Sequence, residues 1–287
     1  MRGSPHVRNR LFKGKYLTAP LGTCTFAATR QFAPVSDSIP SLTTLSAPPA
    51  SLLTGASLFL DFDGTLAPIA PTPDGVIVDE ELLAMLGDLR DALEGRLAIV
   101  SGRSIATLRD LGFGGFLLAG THGLEFAQPG EQVEAPPRRP AVDDAEAAFH
   151  QFAKDKPGVL VERKSISVGL HFRGAPQWGE QAGELATDLA ERLGLAVQPG
   201  KMLFELRPGG ADKGSAVHAL MARSPMAGGR PLFIGDDVTD EEGFAAAAEL
   251  GGAGILVGPP RATLAAFSLE QVAAVRHYLE KGVVRPG

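Results

Sequence analysis

The chain has a single cysteine, Cys24, in 287 residues. That excludes an intrachain disulfide and a cysteine-built metal cluster, and it fits a reducing, cytoplasmic compartment. No run approaches 18 consecutive apolar residues, the length a membrane-spanning helix needs, so no membrane partner is expected. Positive charge is not in excess either: 27 Lys and Arg face 33 Asp and Glu, for a net charge of -6. Nucleic-acid binding usually needs a basic face, so that class is set aside. Internal repeats are absent. What is present, 44% hydrophobic and 21% charged residues, is an ordinary globular balance, long enough for one large domain or two modest ones.

The first 50 residues differ from the rest. They carry Arg2, Arg8, Arg10, Lys13, Lys15 and Arg30 against one acid, Asp37, a local charge of +5 that leaves -11 for the remainder. Ser, Thr, Pro and Ala dominate from Ala33 to Ser51, as in a linker. Residues 1–50 are therefore read as a disordered basic extension, either inert or a targeting segment.

From Ala56 onward, strand-length apolar runs alternate with amphipathic stretches of helical spacing. "SLFLDF", "RLAIVSG", "GFLLAGTHG", "PLFIGDD" and "GAGILVG" read as strands. Between them, Leu82, Leu83, Leu86, Leu89 and Leu93 line one helical face. Ser268-Leu-Glu-Gln271 reads as a capping box that opens the last helix. This alternation predicts an α/β, Rossmann-like core: a parallel sheet with helices on both faces. The rhythm breaks over residues 125–206. There, strand pairs surround helices at Asp143–Lys156 and Gln177–Leu193, which predicts an inserted α+β cap domain. The core is then 51–124 and 207–287. Trp178 reads as helix packing.

In an open parallel sheet, ligands sit beyond the carboxyl ends of the strands, and that is where the polar residues collect. The first strand ends in Asp61 and Asp63, the second in Ser101-Gly102-Arg103, and the fourth in "GDDVTDE", Gly235 to Glu241. Lys213 opens the helix that precedes this last strand. Several carboxylates at one edge repel each other unless a cation neutralises them, and an oxygen-only set suits Mg²⁺. A hydroxyl, a glycine amide and an ammonium suit phosphoryl oxygens, and a spare carboxylate can act as a nucleophile. Each piece alone has a plainer reading: DxDG as a surface turn, "GDDVTDE" as a helix start, Lys213 as a surface lysine. In combination and in this order, the pieces point to phosphate chemistry.

"DFDGTL", "SGR", Lys213 and "GDDVTDE" resemble the four motifs of the haloacid-dehalogenase-like phosphohydrolases. "GTHG", "VERKSISVGLHFR" and "GKMLFELRPGGADKG" narrow the resemblance to the trehalose-phosphatase family, over about residues 56–280. The resemblance implies hydrolysis of trehalose 6-phosphate, with Asp61 as nucleophile and Asp63 as general acid and base. It implies Mg²⁺ held by Asp61, Asp236 and the backbone carbonyl of Asp63, with Asp237 and Asp240 behind them. Ser101, Gly102 and Lys213 would bind the phosphoryl group. On the cap, Glu162, Lys164, His171, Lys201 and Glu205 would bind the sugar. Glu162 and Lys164 could equally be solvent-facing strand residues and His171 a structural histidine; Arg173 and Arg207 could be ion-pair or phosphate partners. The expected partner is a small molecule, and the expected state a monomer. Another sugar phosphatase, acting on sucrose phosphate or a hexose phosphate, a phosphomutase and a non-catalytic sugar-phosphate sensor remain as alternatives.

Overall fold

Strand-length apolar runs fold here as strands because they are buried on both faces, as all five residues of the first one are. The computed structural model describes residues 45–70 and 75–283. In chain order these form β1 (Ala56–Leu60), α1 (Glu80–Ala92), β2 (Leu97–Val100), α2 (Ile105–Asp110), β3 (Leu117–Gly120), β4 (Glu125–Ala127), α3 (Pro140–Ala153), β5 (Leu160–Arg163), β6 (Val168–His171), α4 (Gly179–Leu193), β7 (Ala196–Gly200), β8 (Leu203–Arg207), α5 (Lys213–Met221), β9 (Arg230–Gly235), α6 (Glu241–Glu249), β10 (Ala253–Val257), β11 (Phe267–Leu269) and α7 (Val272–Val283).

Seven strands make the core sheet in the order β11-β10-β9-β1-β2-β3-β4. All neighbours are parallel except β3 and β4. Alternation along β1 explains the layers. Leu58 and Leu60 face Leu82, Leu86 and Leu89 of α1 and Val275 and Leu279 of α7. Phe59 faces the other way, against Val217 of α5 and Phe244 of α6. The fold is thus α/β with helices on both faces of the sheet.

The second sheet, β5-β6-β8-β7, is wholly antiparallel. One of its faces carries Val168, Leu170 and Leu206, which pack on Val142, Ala145 and Phe149 of α3 and on Ala182, Ala186 and Leu189 of α4. Trp178 packs at the edge of this cluster.

Three local expectations change. Ser268 does not cap a helix: Phe267–Leu269 is a parallel edge strand paired with Ile255–Val257, and Ser268 donates to Leu45 O at 3.1 Å. Ladder hydrogen bonds prevail over the capping box, and α7 begins at Val272. Glu125–Ala127, grouped by sequence with the insert, is the antiparallel edge of the core sheet. The helix placed at Asp143 starts at Pro140, a first-turn proline whose missing N–H costs nothing there. The basic extension lies outside the described residues as far as Thr44. Residues 45–50 belong with the core, since Tyr278 donates to Pro49 O at 3.2 Å.

Candidate active site

The strand tips of β1, β2 and β9 open on one edge. Asp61 extends the ladder by one residue, its N–H donating to Ile234 O at 2.9 Å, and its side chain is buried. Asp61 Oδ2 accepts from Thr65 Oγ1 at 3.1 Å, and Asp61 Oδ1 from Lys213 Nζ at 2.7 Å. Lys213 is also buried, and it donates to Asp240 Oδ1 at 2.5 Å. Its position is set locally: Asp212 caps α5 reciprocally with Ser215, which makes Lys213 the first helical residue and turns it toward β1. Asp240 Oδ2 in turn accepts from Asp237 N at 2.9 Å.

One buried ammonium does not neutralise this many carboxylates. Burial, and then the charge of Asp240, pushes Asp61 up to about 7. Burial, and then Asp61, pushes Asp236 up to about 6. Lys213 goes the other way: burial pulls it down, but Asp240 and Asp61 outweigh that and hold it above the ordinary lysine range. Carboxylate oxygens of Asp61, Asp236 and Asp240 come within 4.8 Å of one another. Asp236 Oδ1 is buried without a hydrogen-bond partner. Gly64, at φ +93°, lets the backbone close on Asp236, because a Cβ there would run into that carboxylate. An all-oxygen donor set with an orphaned buried oxygen fits a hard divalent cation.

Asp63 is partly exposed and is gripped by Arg103, whose Nε and NH2 each donate at 2.7 Å, one to each carboxylate oxygen. The guanidinium stacks over the Phe62 ring at 5.2 Å. Beside it, Ser101 Oγ accepts from Arg103 N at 3.1 Å. The loop that carries Ser101 and Gly102 is braced by a left-handed turn in which Thr121, His122 and Gly123 all have positive φ. Thr121 N donates to Arg103 O at 2.8 Å and His122 N to Ser101 O at 3.0 Å. Left-handed backbone at a β-branched residue costs on the order of 1–3 kcal/mol, strain of the kind that functional sites hold. A Cβ on Gly102 would collide with the His122 ring, so the imidazole lies directly against this loop. His122 is held down to about 3, first by burial, with Lys213, Lys164 and Arg207 adding to it against the pull of Glu205.

The cap supplies the opposite wall. Lys164 Nζ donates to Glu205 Oε2 at 2.5 Å and to Gly102 O of the core at 3.3 Å. Glu162 pairs with His171 at 2.8 Å, and Lys201 donates to Asp236 Oδ2 at 3.1 Å. Ser165 donates to Glu125, tying the cap loop to β4. Between the walls lies a cavity of about 220 Å³. Of the candidate site residues singled out from the sequence, all but Asp240 and Arg207 line it, and Asp240 sits behind Lys213. Arg173 donates to Ala70 O and to Lys201 O, and Arg207 to Gln198 and Ala211 O. Arg103, His122 and Gln198 also line the cavity and were not singled out. "SGR" and "GTHG" were signals for the first two.

A parallel α/β sheet with paired aspartates beyond its central strand, a lysine at a following helix start and an inserted cap defines a haloacid-dehalogenase-like phosphohydrolase. Residues 59–271 match the model of the family described as trehalose-phosphatase. Similar proteins include the trehalose-6-phosphate phosphatase of Escherichia coli (strain K12), 38% identical over 225 residues that cover 77% of this chain and 84% of that protein. A probable trehalose-phosphate phosphatase of Sinorhizobium fredii is 40% identical over 71% of this chain and 78% of its own. In fold, the chain is similar to the C-terminal domain of C. albicans trehalose-6-phosphate phosphatase, with a TM-score of 0.72 at 24% identity over 83% of this chain and 98% of that one. The chain belongs to the trehalose-phosphatase family and is a phosphatase enzyme. No helix among the described residues is long and apolar enough to cross a membrane.

Proposed function

We propose that this enzyme hydrolyses trehalose 6-phosphate to trehalose and phosphate through an aspartyl-phosphate. The observation that carries this reading is a cavity with two unlike walls. The core sheet's loops contribute Asp61, Asp63, Ser101, Gly102 and Lys213, and the second sheet contributes Glu162, Lys164, His171, Lys201 and Glu205. A phosphorylated disaccharide offers both chemistries, an anionic group for the core residues and many hydroxyls for those of the second sheet.

Asp61 attacks phosphorus in line, the bond from phosphorus to the sugar's 6-oxygen breaks, and Asp63 gives its proton to that oxygen. Asp63 then takes a proton from a water that attacks the aspartyl-phosphate and frees Asp61. Ser101, the Gly102 amide and Lys213 hold the equatorial oxygens, whose charge neutralisation is most of what phosphoryl transfer requires. Asp61, Asp236 and the Asp63 carbonyl would hold Mg²⁺, with Asp237 and Asp240 behind them; when bound it supplies further neutralisation of the phosphoryl charge. Cap carboxylates accept from sugar hydroxyls, and Lys164, Lys201 and His171 donate to them. The protein acts as a monomer in the cytoplasm on this reading.

Phosphate release is the test, measured with and without Mg²⁺ on trehalose 6-phosphate, sucrose 6-phosphate, glucose 6-phosphate and mannose 6-phosphate. Mg²⁺-dependent preference for trehalose 6-phosphate is expected. Equal turnover of all four would overturn the substrate, and release from none would favour a sugar-phosphate sensor.

A further inference from the structure

The antiparallel register of the cap sheet sets three polar side chains in one row. Gln198 on β7 lies opposite Glu205 on β8, Glu205 opposite Gly169 on β6, and Gly169 opposite Glu162 on β5. Directly opposed residues share a face, and Glu162, Glu205 and Gln198 all line the cavity. Two of the three are carboxylates, which only accept hydrogen bonds when ionised.

The third has its amide direction decided for it. Gln198 Oε1 accepts from Arg207 NH2 at 2.9 Å, and a guanidinium has no acceptor, so the oxygen is the end that faces Arg207. Arg207 is 5% exposed and cannot turn away, because its NH1 also donates to Ala211 O at 2.6 Å. The Gln198 NH2 group is therefore the other end of the amide. Gln198 makes no further side-chain hydrogen bond among the described residues.

Resting on the sugar-phosphate reading, we propose that Gln198 is a specificity-determining residue that donates a hydrogen bond to a sugar oxygen, with Arg207 as the positioning residue that fixes its amide. A sugar has ring and bridging oxygens that can only accept, and carboxylates cannot serve them. Gln198 provides a donor in a row of acceptors. Arg207 also ties this donor to Ala211, two residues before Lys213, so the two walls of the cavity share one brace.

Gln198→Glu tests this directly, because it keeps the length and the acceptor for Arg207 but replaces NH2 with oxygen. The expected result is a rise of about tenfold in KM for trehalose 6-phosphate, the scale of one lost hydrogen bond, with a smaller change in kcat. The kcat/KM for trehalose 6-phosphate should fall about tenfold relative to that for p-nitrophenyl phosphate, which has no sugar. Gln198→Ala should show the same KM rise plus a lower melting temperature, since buried Arg207 loses one of its acceptors. If Gln198→Glu keeps the wild-type KM, or loses both substrates equally, Gln198 only anchors Arg207 and the proposal is overturned. Wild-type enzyme that turns over p-nitrophenyl phosphate but not trehalose 6-phosphate would overturn the substrate reading itself, a separate result.

Discussion

Lys213 Nζ lies 2.5 Å from Asp240 Oδ1, and both side chains are buried. Removing one member of a buried pair leaves the other charge uncompensated. Lys213→Ala is therefore expected to lose activity and to destabilise the protein by ~3–5 kcal/mol, measured by urea denaturation. Wild-type stability in that variant would refute the pairing.

Asp61→Asn should separate chemistry from stability. Loss of the proposed nucleophile is expected to cut phosphate release about a thousandfold or more. Asp61 is pushed up to about 7 by burial and Asp240, so whatever stability its protonated form contributes is present below the ordinary carboxylate range and lost as pH rises toward 7. Without divalent cations, the melting temperature of Asp61→Asn should gain on the wild type as pH rises from about 4 to about 7. A gap that runs the other way would show that the charge at 61 is stabilised.

The fork of Arg103 on Asp63 is partly open to water, with side-chain exposures of 14% and 35%. The fork fixes the carboxylate proposed to move the proton. Arg103→Lys cannot reproduce the fork. Its kcat is expected to drop about tenfold or more, within the range general acid–base groups supply, with a melting curve close to wild type. A large thermal shift with normal kcat would contradict this.

Divalent cation should raise the melting temperature of the wild type, because a ligand that binds only the folded state stabilises it. Asp236 carries the orphaned oxygen of the carboxylate cluster, so Asp236→Asn should abolish that rise. Thermal shift with Mg²⁺ against a chelator reads it without any substrate. An unchanged rise would move the cation site away from Asp236.

His122 is held down to about 3, so its imidazole should stay neutral throughout the physiological range. Its ring proton shifts in NMR should be flat from pH 8 to about 5. A midpoint near the ordinary histidine value of about 6.5 would show that the ring is solvated.

Most of the site was legible because the core places it at strand tips, where a carboxylate after a buried run stands out. Asp61, Ser101 and Asp236 need only local patterns to be found. The Asp63–Arg103 fork joins residues 40 apart, and Gln198 gains its meaning only from its register against Glu205; neither is written in local periodicity. Ser268 misled because a capping pattern and an edge strand draw on the same residues, and the ladder with β10 decided between them. Glu125–Ala127 misled because a strand's sheet is chosen by which partner lies alongside, not by its own sequence.

The flat face of the cap also bears on how such an enzyme could change its diet. Neighbouring strands stand about 4.8 Å apart, so Glu162, Glu205 and Gln198 form a keyboard of fixed pitch. Gly169 is a bare key between two of them, where an added Cβ would come 3.1 Å from Leu203 Cδ1 and 3.5 Å from Glu162 Oε2. On the proposed reading, changing which sugar is bound means exchanging single keys while the backbone beneath stays put. Asp61, Ser101 and Lys213 stand on the other sheet and its helices, apart from this row. Descendants of one ancestor could diverge in taste by a few codons without relearning the reaction.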